Sequence, residues 1–263
     1  MKDSILFTAE RQSKILELIR KNGSVSVNYL AEFFNVSATT IRMDLTSLEA
    51  EGEISRTHGG AILRSVLHRE PRMNERFNDD KKQLIALRAV SMIKENDTLL
   101  LDTGTTVLYL AKALVSCPIK RLVIYTNDID VMRVLEEKDG FELHLFPGRM
   151  RNGFHYSYGS QMIAQLRDCH FDKLFLAVSA LSLSEGLTTE NVDLAALKEE
   201  MIKASEKVIL LVDSSKFGLV NFKRFASLRD VDAVITDSGI SAEDERALER
   251  MVKSVSVVTD GKE

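Results

Sequence analysis

Apolar residues in the first sixty positions recur every three or four residues, which is the spacing of a helix with one buried face. This spacing predicts a helix between Thr8, a candidate N-cap, and Gly23, where the helix would end. A short extended piece precedes a second predicted helix at 28–34, and Ser37 is positioned to cap a third. The N-terminal segment is therefore predicted to contain three helices.

The predicted third helix has two different faces. At ~100° per residue, Ile41, Leu45 and Leu48 fall within about 60° of one another and form one buried stripe. The opposite face is small, polar and thinly charged, which suits insertion against base edges better than packing. That face presents Thr39, Met43 and Thr46, with Thr40 and Arg42 on its flanks.

Residues 54–63 are predicted to form a β-hairpin, with Gly59 and Gly60 letting its tip turn tightly against DNA. A three-helix unit with such a wing is built to place its third helix in the major groove, while caps and wing reach phosphates. The residues expected near DNA on this basis are Arg42, Arg56 and His58.

After about residue 80 the pattern changes to alternating strands and helices, which marks a domain boundary. The runs 99–101 and 208–212 are apolar at every position, as in strands of a mostly parallel sheet covered by helices on both faces. Charges and Pro71 in the preceding stretch suit an exposed connector.

The predicted organisation is a winged helix-turn-helix unit at 1–64 (helix-turn-helix about 25–44), a linker at 65–80 and a larger α/β domain at 81–263. The predicted strands of that domain are 98–102, 121–126, 142–146, 172–178, 207–213, 232–236 and 254–258. Its predicted helices are 81–94, 105–115, 128–137, 159–168, 193–205 and 241–252.

Composition narrows the classes of protein. With 263 residues, 44% of them hydrophobic, the chain is long enough to bury two cores. The formal net charge of −4 does not indicate a nucleic-acid partner, and residues 1–64 hold eight Lys or Arg and eight Asp or Glu. A helical module for protein contacts therefore remains an alternative to DNA binding at this point.

Cysteine and histidine usage argues against a disulfide or metal protein. Cys117 and Cys169 are too few for a disulfide framework or a four-cysteine zinc site. No stretch approaches the ~20 apolar residues of a membrane span, and the N-terminus lacks the apolar core of a signal peptide, so a cytoplasmic protein is expected. We expect no metal, cofactor or membrane. The histidines without metal-ligand spacing are His68, His144, His155 and His170.

A candidate anion site follows the strand at 98–102. Asp102 ends this strand, and Thr103-Gly104-Thr105-Thr106 leads directly into a helix. Such a turn offers free backbone N–H groups, hydroxyls and the positive end of a helix dipole, all of which favour a phosphate. The structural alternative is an ordinary glycine turn, and the segment lacks the Gly-Lys-Ser/Thr of a nucleotide P-loop.

Two further polar clusters follow predicted strands. They are Thr126-Asn127 and the segment Asp213-Ser214-Ser215-Lys216. Each could be a helix cap or a turn. Because ligands of open α/β sheets bind outside the carboxyl ends of the strands, the three clusters are predicted to converge on one ligand.

Residues 10–63 resemble the DeoR family of bacterial repressors almost from end to end. The matching segments are Glu10-Arg11, Leu30-Ala31, Val36-Ser37, Thr40-Ile41-Arg42-Met43-Asp44-Leu45, Leu48-Glu49, Gly52, Arg56 and His58-Gly59-Gly60-Ala61. The family usually has a basic residue where this chain has Met43, so one DNA contact is absent or replaced here. The resemblance and the pattern together predict DNA contacts by Ser37, Thr39, Thr40, Arg42, Met43, Thr46, Arg56, His58 and Gly59.

Residues 75–237 resemble the effector domain of the same family. The matching segments are Leu101-Asp102-Thr103-Gly104-Thr105-Thr106, Thr126-Asn127, Gly148, Asp172-Lys173, Phe175, Gly186-Leu187-Thr188, Lys198, Met201, Asp213-Ser214-Ser215-Lys216-Phe217 and Ile235-Thr236-Asp237. The resemblance implies a fold similar to ribose-5-phosphate isomerase and a phosphorylated sugar as inducer. It further implies that Asp102 binds sugar hydroxyls, that residues 104–106 hold the phosphate and that Lys216 neutralises an anionic group. The predicted effector-binding residues are Asp102, Gly104, Thr105, Thr106, Thr126, Asn127, Gly148, Lys198, Asp213, Ser215 and Lys216.

The sequence therefore predicts a sequence-specific transcriptional repressor of a sugar-metabolism operon that a phosphorylated sugar releases from double-stranded operator DNA. It predicts no enzyme activity, a homodimer or homotetramer, and association with the nucleoid when bound to DNA. One alternative is a sugar-phosphate isomerase-like enzyme that carries an accessory DNA-binding module, since Asp102, Asp213 and Lys216 could perform acid–base chemistry. The other is a structural or interaction protein.

Overall fold

The N-terminal unit is a bundle of three helices with a small sheet. The computed structural model of the chain describes residues 8–22, 24–50, 54–57, 59–63 and 78–259. In chain order the elements of this unit are α1 (Thr8–Asn22), β1 (Ser24–Ser26), α2 (Val27–Phe34), α3 (Ala38–Ala50), β2 (Ile54–Thr57) and β3 (Gly60–Leu63). The three predicted helices and the hairpin are confirmed.

Local hydrogen bonds explain where α2 and α3 begin and end. The hydroxyl of Ser26 accepts from the Tyr29 N–H at 3.1 Å and caps α2, and Asn35 ends α2 in the left-handed conformation. The hydroxyl of Ser37 accepts from the Thr40 N–H at 3.1 Å. The predicted cap of the third helix is therefore confirmed.

The small sheet explains one of the two glycines at the wing. Its strand order is β1-β3-β2, and Ser26 of β1 lies opposite Gly60 of β3. A Cβ atom on Gly60 would lie 2.0 Å from the Val25 carbonyl oxygen, whereas one on Gly59 would meet no atom within 4 Å. Gly60 is thus required for the close approach of β3 to β1, and not only for a turn at the tip as the sequence suggested.

The second unit is a parallel sheet with helices on both faces. Its helices are α4 (Asp79–Val90), α5 (Thr105–Ser116), α6 (Ile129–Leu135), α7 (Ser160–Leu166), α8 (Val192–Lys203) and α9 (Ala242–Met251). The strands of its main sheet are β4 (Thr98–Leu101), β5 (Leu122–Thr126), β6 (Phe141–Leu145), β9 (Phe171–Ala177), β12 (Ser205–Leu211), β14 (Ala233–Asp237) and β15 (Ser254–Val258). The order in the sheet is β15-β14-β12-β9-β4-β5-β6, and every neighbouring pair is parallel.

Alternate side chains of the central strands enter two separate cores. In β4, Leu99 and Leu101 pack with α4, α5 and α6, while Leu100 packs on the opposite side with α7, α8 and α9. Both faces are covered, which is why the runs 99–101 and 208–212 are apolar at every position. The predicted α/β architecture is confirmed.

Shorter strands that the sequence did not predict complete the unit. They are β7 (Arg149–Met150), β8 (Ser157–Tyr158), β10 (Ala180–Ser182), β11 (Gly186–Thr189) and β13 (Lys223–Ala226). β7 and β8 form a hairpin, and β10, β11 and β13 form an antiparallel sheet. α4 begins at Asp79, inside the predicted linker by two residues. Among the described residues, no helix combines the length and apolar character that crossing a membrane requires.

Candidate DNA-binding surface and effector site

The exposed face of α3 carries the predicted DNA-contacting side chains. Ile41, Leu45 and Leu48 are buried in the core of the N-terminal unit, as predicted. The side chain of Met43 is 70% exposed, so it lies on the outer face of α3 as predicted. The remaining exposed side chains of this face are Thr39, Arg42 and Thr46, and Thr40 is half-buried and hydrogen-bonded to Ser37.

A buried ion pair fixes α3 against α1. The guanidinium of Arg11 donates to both carboxylate oxygens of Asp44, with Nε–Oδ2 and Nη2–Oδ1 distances of 2.6 and 3.1 Å. Both side chains are nearly inaccessible, and the hydrogen bond to Asp44 raises the pKa of Arg11. Sequence reasoning quoted both residues as family matches but missed this pairing, which orients the exposed face of α3.

The wing strand β2 is hydrogen-bonded to α3. The Arg56 guanidinium donates to the Thr46 hydroxyl at 2.8 Å, and the Arg56 N–H donates to Glu49 Oε1 at 2.8 Å. The Thr46 hydroxyl in turn donates to the Arg42 carbonyl at 2.7 Å. Arg56 therefore lies beside the exposed face of α3. Gly59 is exposed, and His58 lies outside the described residues.

The effector unit contains a buried ion pair in which one carboxylate oxygen has no hydrogen-bond partner among the described residues. Asp102 is fully buried, and its Oδ2 accepts from the Lys198 ammonium and from the Ala177 N–H, the latter at 2.9 Å. Lys198 also donates to the Ala177 carbonyl at 2.9 Å. Asp102 Oδ1 is buried and has no hydrogen-bond partner in the described part of the chain. Buried acceptors of this kind are rare and need an explanation.

The segment after Asp102 forms the start of α5 without a side-chain cap. Gly104 occupies the N-cap position with φ 142°, a region that favours glycine, and it has no side chain to accept from the amide groups of the first turn. Thr106 is buried and Thr105 half-buried at this end of the helix. Thr103 donates from its hydroxyl to Asp128 Oδ2 at 2.7 Å. The uncapped turn has the geometry that binds anions.

The Thr126-Asn127 cluster lies at the end of the neighbouring strand β5. The Thr126 hydroxyl accepts from the Asp128 N–H at 3.1 Å, and the Asn127 amide donates to the Ser157 carbonyl at 2.7 Å. Asn127 Oδ1 is buried and lacks a partner among the described residues. Burial raises the pKa of Asp128. The structure thus brings Asp102 and Asn127 to adjacent strand ends, each with an unused acceptor.

The third predicted cluster has partners of its own. Asp213 Oδ1 accepts from the backbone N–H of Ser215 at 3.1 Å, from the Ser215 hydroxyl, and from the Asn78 amide at 3.2 Å. Lys216 is half-buried and forms no ion pair with any described residue. β9 separates β12 from β4, so this segment lies at the same edge of the sheet as Asp102 but not on an adjacent strand.

Gly148 lines a cleft of about 520 Å³. The lining residues are Gly148, Arg149, Tyr158, Gly159, Ser160, Gln161, Ile163, Asp193 and Ala196. A Cβ atom on Gly148 would lie 2.7 Å from the Tyr158 carbonyl oxygen, which explains the glycine by the packing of the β7–β8 hairpin. In the described part of the chain, no group of three or more His, Cys, Asp or Glu is arranged to hold a metal ion.

Sequence reasoning missed further polar groups near the strand ends. Thr189 Oγ1 at the end of β11 and Thr236 Oγ1 in β14 are buried without a hydrogen-bond partner among the described residues. Ala177, which holds the Asp102–Lys198 pair through its backbone, carries no side-chain signal at all. The adjacent threonines Thr188 and Thr189 were a sequence signal for polar groups at this position. The structure buries both, and threonine hydroxyls are seldom buried without a role.

Comparison with known proteins finds two matching sequence profiles and relatives that match nearly the full chain. A sequence profile described as a DeoR-like helix-turn-helix domain matches residues 11–66, and one described as the DeoR C terminal sensor domain matches residues 77–238. A putative aga operon transcriptional repressor of Escherichia coli O157:H7 is 33% identical over 95% of this chain and 94% of its own length. A lactose phosphotransferase system repressor of Streptococcus mutans is 31% identical over 95% of this chain and 98% of its own.

Among solved structures, ribose 5 phosphate isomerase A from Neisseria gonorrhoeae overlaps 52% of this chain and 52% of its own, with a TM-score of 0.36 and 17% identity. A likeness of this extent shows nothing about the chemistry of the present chain. The two profile matches and the full-length relatives do carry a conclusion. The chain belongs to the DeoR family of transcriptional regulators.

Proposed function

We propose that this protein represses a sugar-metabolism operon and that a phosphorylated sugar releases it from its operator. The observation that carries the effector half is Asp102 Oδ1, which is buried without a partner among the described residues and lies directly before the start of α5. An acceptor for hydroxyl groups next to a site for an anion is the combination that a sugar phosphate matches. The names of two relatives, which refer to the aga operon and to lactose phosphotransferase, support the sugar assignment.

The proposed DNA contacts divide by chemistry. Arg42 and Arg56 supply cations to phosphates, while Thr39, Met43 and Thr46 face base edges. At the start of α3, Ser37 and Thr40 contact the DNA backbone. Gly59 and His58 contact it from the wing. The buried Arg11–Asp44 pair and the Arg56–Thr46 hydrogen bond support this arrangement, because they hold helix and wing in one orientation before DNA arrives.

The proposed effector contacts involve three strand ends. Thr105, Thr106 and the free amides of α5 bind the phosphate, with Gly104 allowing its approach. Asp102 Oδ1 and Asn127 Oδ1 accept hydroxyl groups of the sugar, and Lys216 supplies a further cation. Lys198 acts through Asp102, since its ammonium already donates to that carboxylate and to a carbonyl. The remaining proposed contacts are Thr126, Gly148, Asp213 and Ser215.

The protein is proposed to bind the sugar phosphate without converting it. Lys198 is engaged in a buried ion pair rather than presented to a substrate, and the full-length relatives are named as regulators. Incubation with ribose 5-phosphate, glucose 6-phosphate or fructose 6-phosphate is expected to leave each compound unchanged. Multiple turnovers of any of them would favour the isomerase-like enzyme instead.

Binding to DNA and its release form the central experiment. Selection from a random duplex library should enrich one sequence, and fluorescence anisotropy should show that duplex bound at least about 10³-fold more tightly than random duplex at moderate salt. Adding pentose and hexose phosphates one at a time should weaken binding for one of them. A protein that enriches no sequence is not a repressor, and one that enriches a sequence but ignores every sugar phosphate has a different effector.

Operator release is proposed to act through paired N-terminal units. A homodimer or homotetramer would present two α3 helices to half-sites one helical turn of DNA apart, and effector binding would change their spacing. The enriched sequence is then expected to be palindromic. Identical small-angle scattering with and without the releasing sugar phosphate would contradict the change in spacing.

A further inference from the structure

The residue at the start of α4 does not cap its own helix. Asn78 occupies the N-cap position with φ 72°, and its side chain makes no capping hydrogen bond. The Asn78 amide instead donates to Asp213 Oδ1 at 3.2 Å and to the Ser215 hydroxyl at 3.4 Å. Asparagine at an N-cap ordinarily accepts from the first turn of its helix, so this side chain is diverted to the segment after β12.

One turn further along α4, Lys81 binds the same segment. Its ammonium donates to Asp237 Oδ2 and to the Ser214 hydroxyl, both at 2.9 Å, and Asp237 also accepts from the Ser214 N–H at 2.7 Å. A Cβ atom on Gly239 would lie 2.4 Å from the Ser214 hydroxyl and 2.8 Å from the Lys81 ammonium, so only glycine leaves room for these contacts. The α4 cluster is defined here as Asn78, Lys81, Asp213, Ser214, Ser215 and Asp237.

The helix that begins at the proposed phosphate site packs against α4. Tyr109 lies on α5, one turn after Thr105 and Thr106, and burial and the nearby carboxylate of Asp79 raise its pKa. The N-terminal end of α4 therefore lies against both elements that carry proposed effector contacts.

We propose that Asn78 and Lys81 are positioning residues that couple the effector site to the DNA-binding unit. This inference rests on the proposed function. Asp213 and Ser215 are proposed effector contacts, and the atoms that bind Asn78 are those that a sugar hydroxyl would use, so effector and Asn78 compete for them. The chain segment directly before Asn78 connects to the DNA-binding unit. In this proposal the first turn of α4 is the element on which the effector site and the DNA-binding unit both act.

The variants that test the coupling have matched controls in the same chain. Asn78→Gly removes the amide and keeps the backbone conformation accessible, and Asn96→Gly does the same at an exposed asparagine with φ 68° outside the cluster. Lys81→Met removes the ammonium and keeps the stem, and Arg88→Met removes an exposed cation from the other end of α4.

Hydrogen–deuterium exchange of the full-length protein without sugar tests the contact itself. Lys81→Met and Asn78→Gly are expected to speed exchange in the peptide covering 213–217 by about fivefold, because the cluster restrains that segment. Asn96→Gly and Arg88→Met are expected to leave the exchange unchanged. Equal exchange in all five proteins would overturn the inference, whatever the effector proves to be.

Operator binding tests the coupling. The ratio of operator Kd values with and without millimolar ribose 5-phosphate, glucose 6-phosphate or fructose 6-phosphate gives a coupling factor for each, typically about 5 to 150 for an effector. Asn78→Gly and Lys81→Met should bring this factor close to one and still bind the sugar phosphate by calorimetry. If wild type and both variants share a factor above one, the inference is wrong. If the wild type ignores all three compounds, the proposed function loses support and the exchange result decides the inference alone.

Discussion

The two units of this protein treat their buried carboxylates in opposite ways. In the N-terminal unit, Arg11 donates to both oxygens of Asp44, and the side chains proposed to contact DNA lie outside on the exposed face of α3. In the effector unit, Lys198 and a backbone amide bind one oxygen of Asp102, and the other oxygen is buried without a partner among the described residues. In the proposed function, the first unit therefore binds its ligand with its surface and the second with its interior.

The size of the proposed ligands explains this difference. A DNA groove admits a whole helix, so α3 can keep a fully satisfied core and present exposed side chains. A small anion has to be surrounded, so its partners are buried before it binds. A buried polar atom without a partner costs about 1–3 kcal/mol, and a ligand that donates to Asp102 Oδ1 and Asn127 Oδ1 offsets that cost. In the proposed function, the buried groups that stabilise the first unit differ from the exposed groups that contact DNA. In the second unit the same buried groups affect both stability and ligand binding.

Removing the carboxylate of Asp44, whose two oxygens both accept from Arg11, should have the largest effect. Asp44→Ala leaves Arg11 buried without its partner, which is expected to destabilise the N-terminal unit by about 3–5 kcal/mol. Calorimetry should show loss of the N-terminal transition, with the effector-unit transition retained and DNA binding abolished. Asp193→Ala, which breaks an exposed pair with Arg149, is the control and should retain both transitions. Wild-type melting of Asp44→Ala would contradict a stabilising role for the pair.

A substitution on the exposed face of α3 should weaken operator binding without loss of protein stability. Arg42 is exposed on α3, so Arg42→Ala is expected to weaken operator binding by about 1–3 kcal/mol and to reduce the salt dependence of binding by about one released ion. Anisotropy titrations at several salt concentrations measure both quantities. Lys14→Ala removes an exposed cation from α1 and serves as the charge-matched control. Equal salt slopes for Arg42→Ala and the wild type would remove Arg42 from the DNA interface.

Lys216, which forms no ion pair with a described residue, allows a direct test of the proposed effector contact. Lys216→Met is expected to weaken binding of the releasing sugar phosphate by about 1.5 kcal/mol, the contribution of a charge-assisted hydrogen bond. Isothermal calorimetry gives this value. Lys203→Met, on the exposed end of α8, is the control and should bind as the wild type does. If the two variants bind equally well, Lys216 does not contact the effector.

Lowering the pH should reduce the stability that Asp237 of the α4 cluster contributes, within a defined pH range. Burial opposes the charged form of Asp237, but hydrogen bonds from Lys81, Ser214 and Gly239 outweigh it, so its pKa lies below the usual 3.8. A carboxylate with a lowered pKa contributes stability above the unfolded value and loses it as pH falls through the folded value. The difference in free energy of unfolding between wild type and Asp237→Asn should therefore be constant above about pH 5 and shrink below pH 4. Urea titrations across this range measure it, and a constant difference down to pH 2 would contradict the assignment.

Periodicity predicted the helices and the strands of the main sheet well, and it missed the short strands. The runs 99–101 and 208–212 are apolar at every position because both faces of the sheet are covered, and the buried stripe of α3, from Ile41 to Leu48, spans two turns. β7 and β8 have two residues each, and β10 has three, so no alternation could reveal them. The sequence predicted that Asp102 and Asn127 follow strands, and the structure places them after β4 and β5, which are neighbours in the sheet. That they bind one ligand stays a prediction.

Pairing across long sequence separations could not be predicted. Asp102 and Lys198 are separated by 96 positions, and Asn78 and Asp213 by 135. Nothing local to either member indicates its partner, because the contact depends on how strands are ordered and how helices pack. For the same reason Lys198 was predicted to bind the effector, whereas its ammonium already binds Asp102 and a carbonyl.

By itself, the sequence determined which segments are helices and strands, where α3 is capped, and which family the chain resembles, since these depend on spacing and on neighbouring residues. Only the tertiary structure decided which polar atoms are satisfied and which are left over, because a buried oxygen is defined by everything packed around it. Asp44 and Asp102 each directly follow an apolar residue in the sequence, and the chain next to them does not show how their oxygens are hydrogen-bonded. The fold gives the first two hydrogen-bonded oxygens and the second only one.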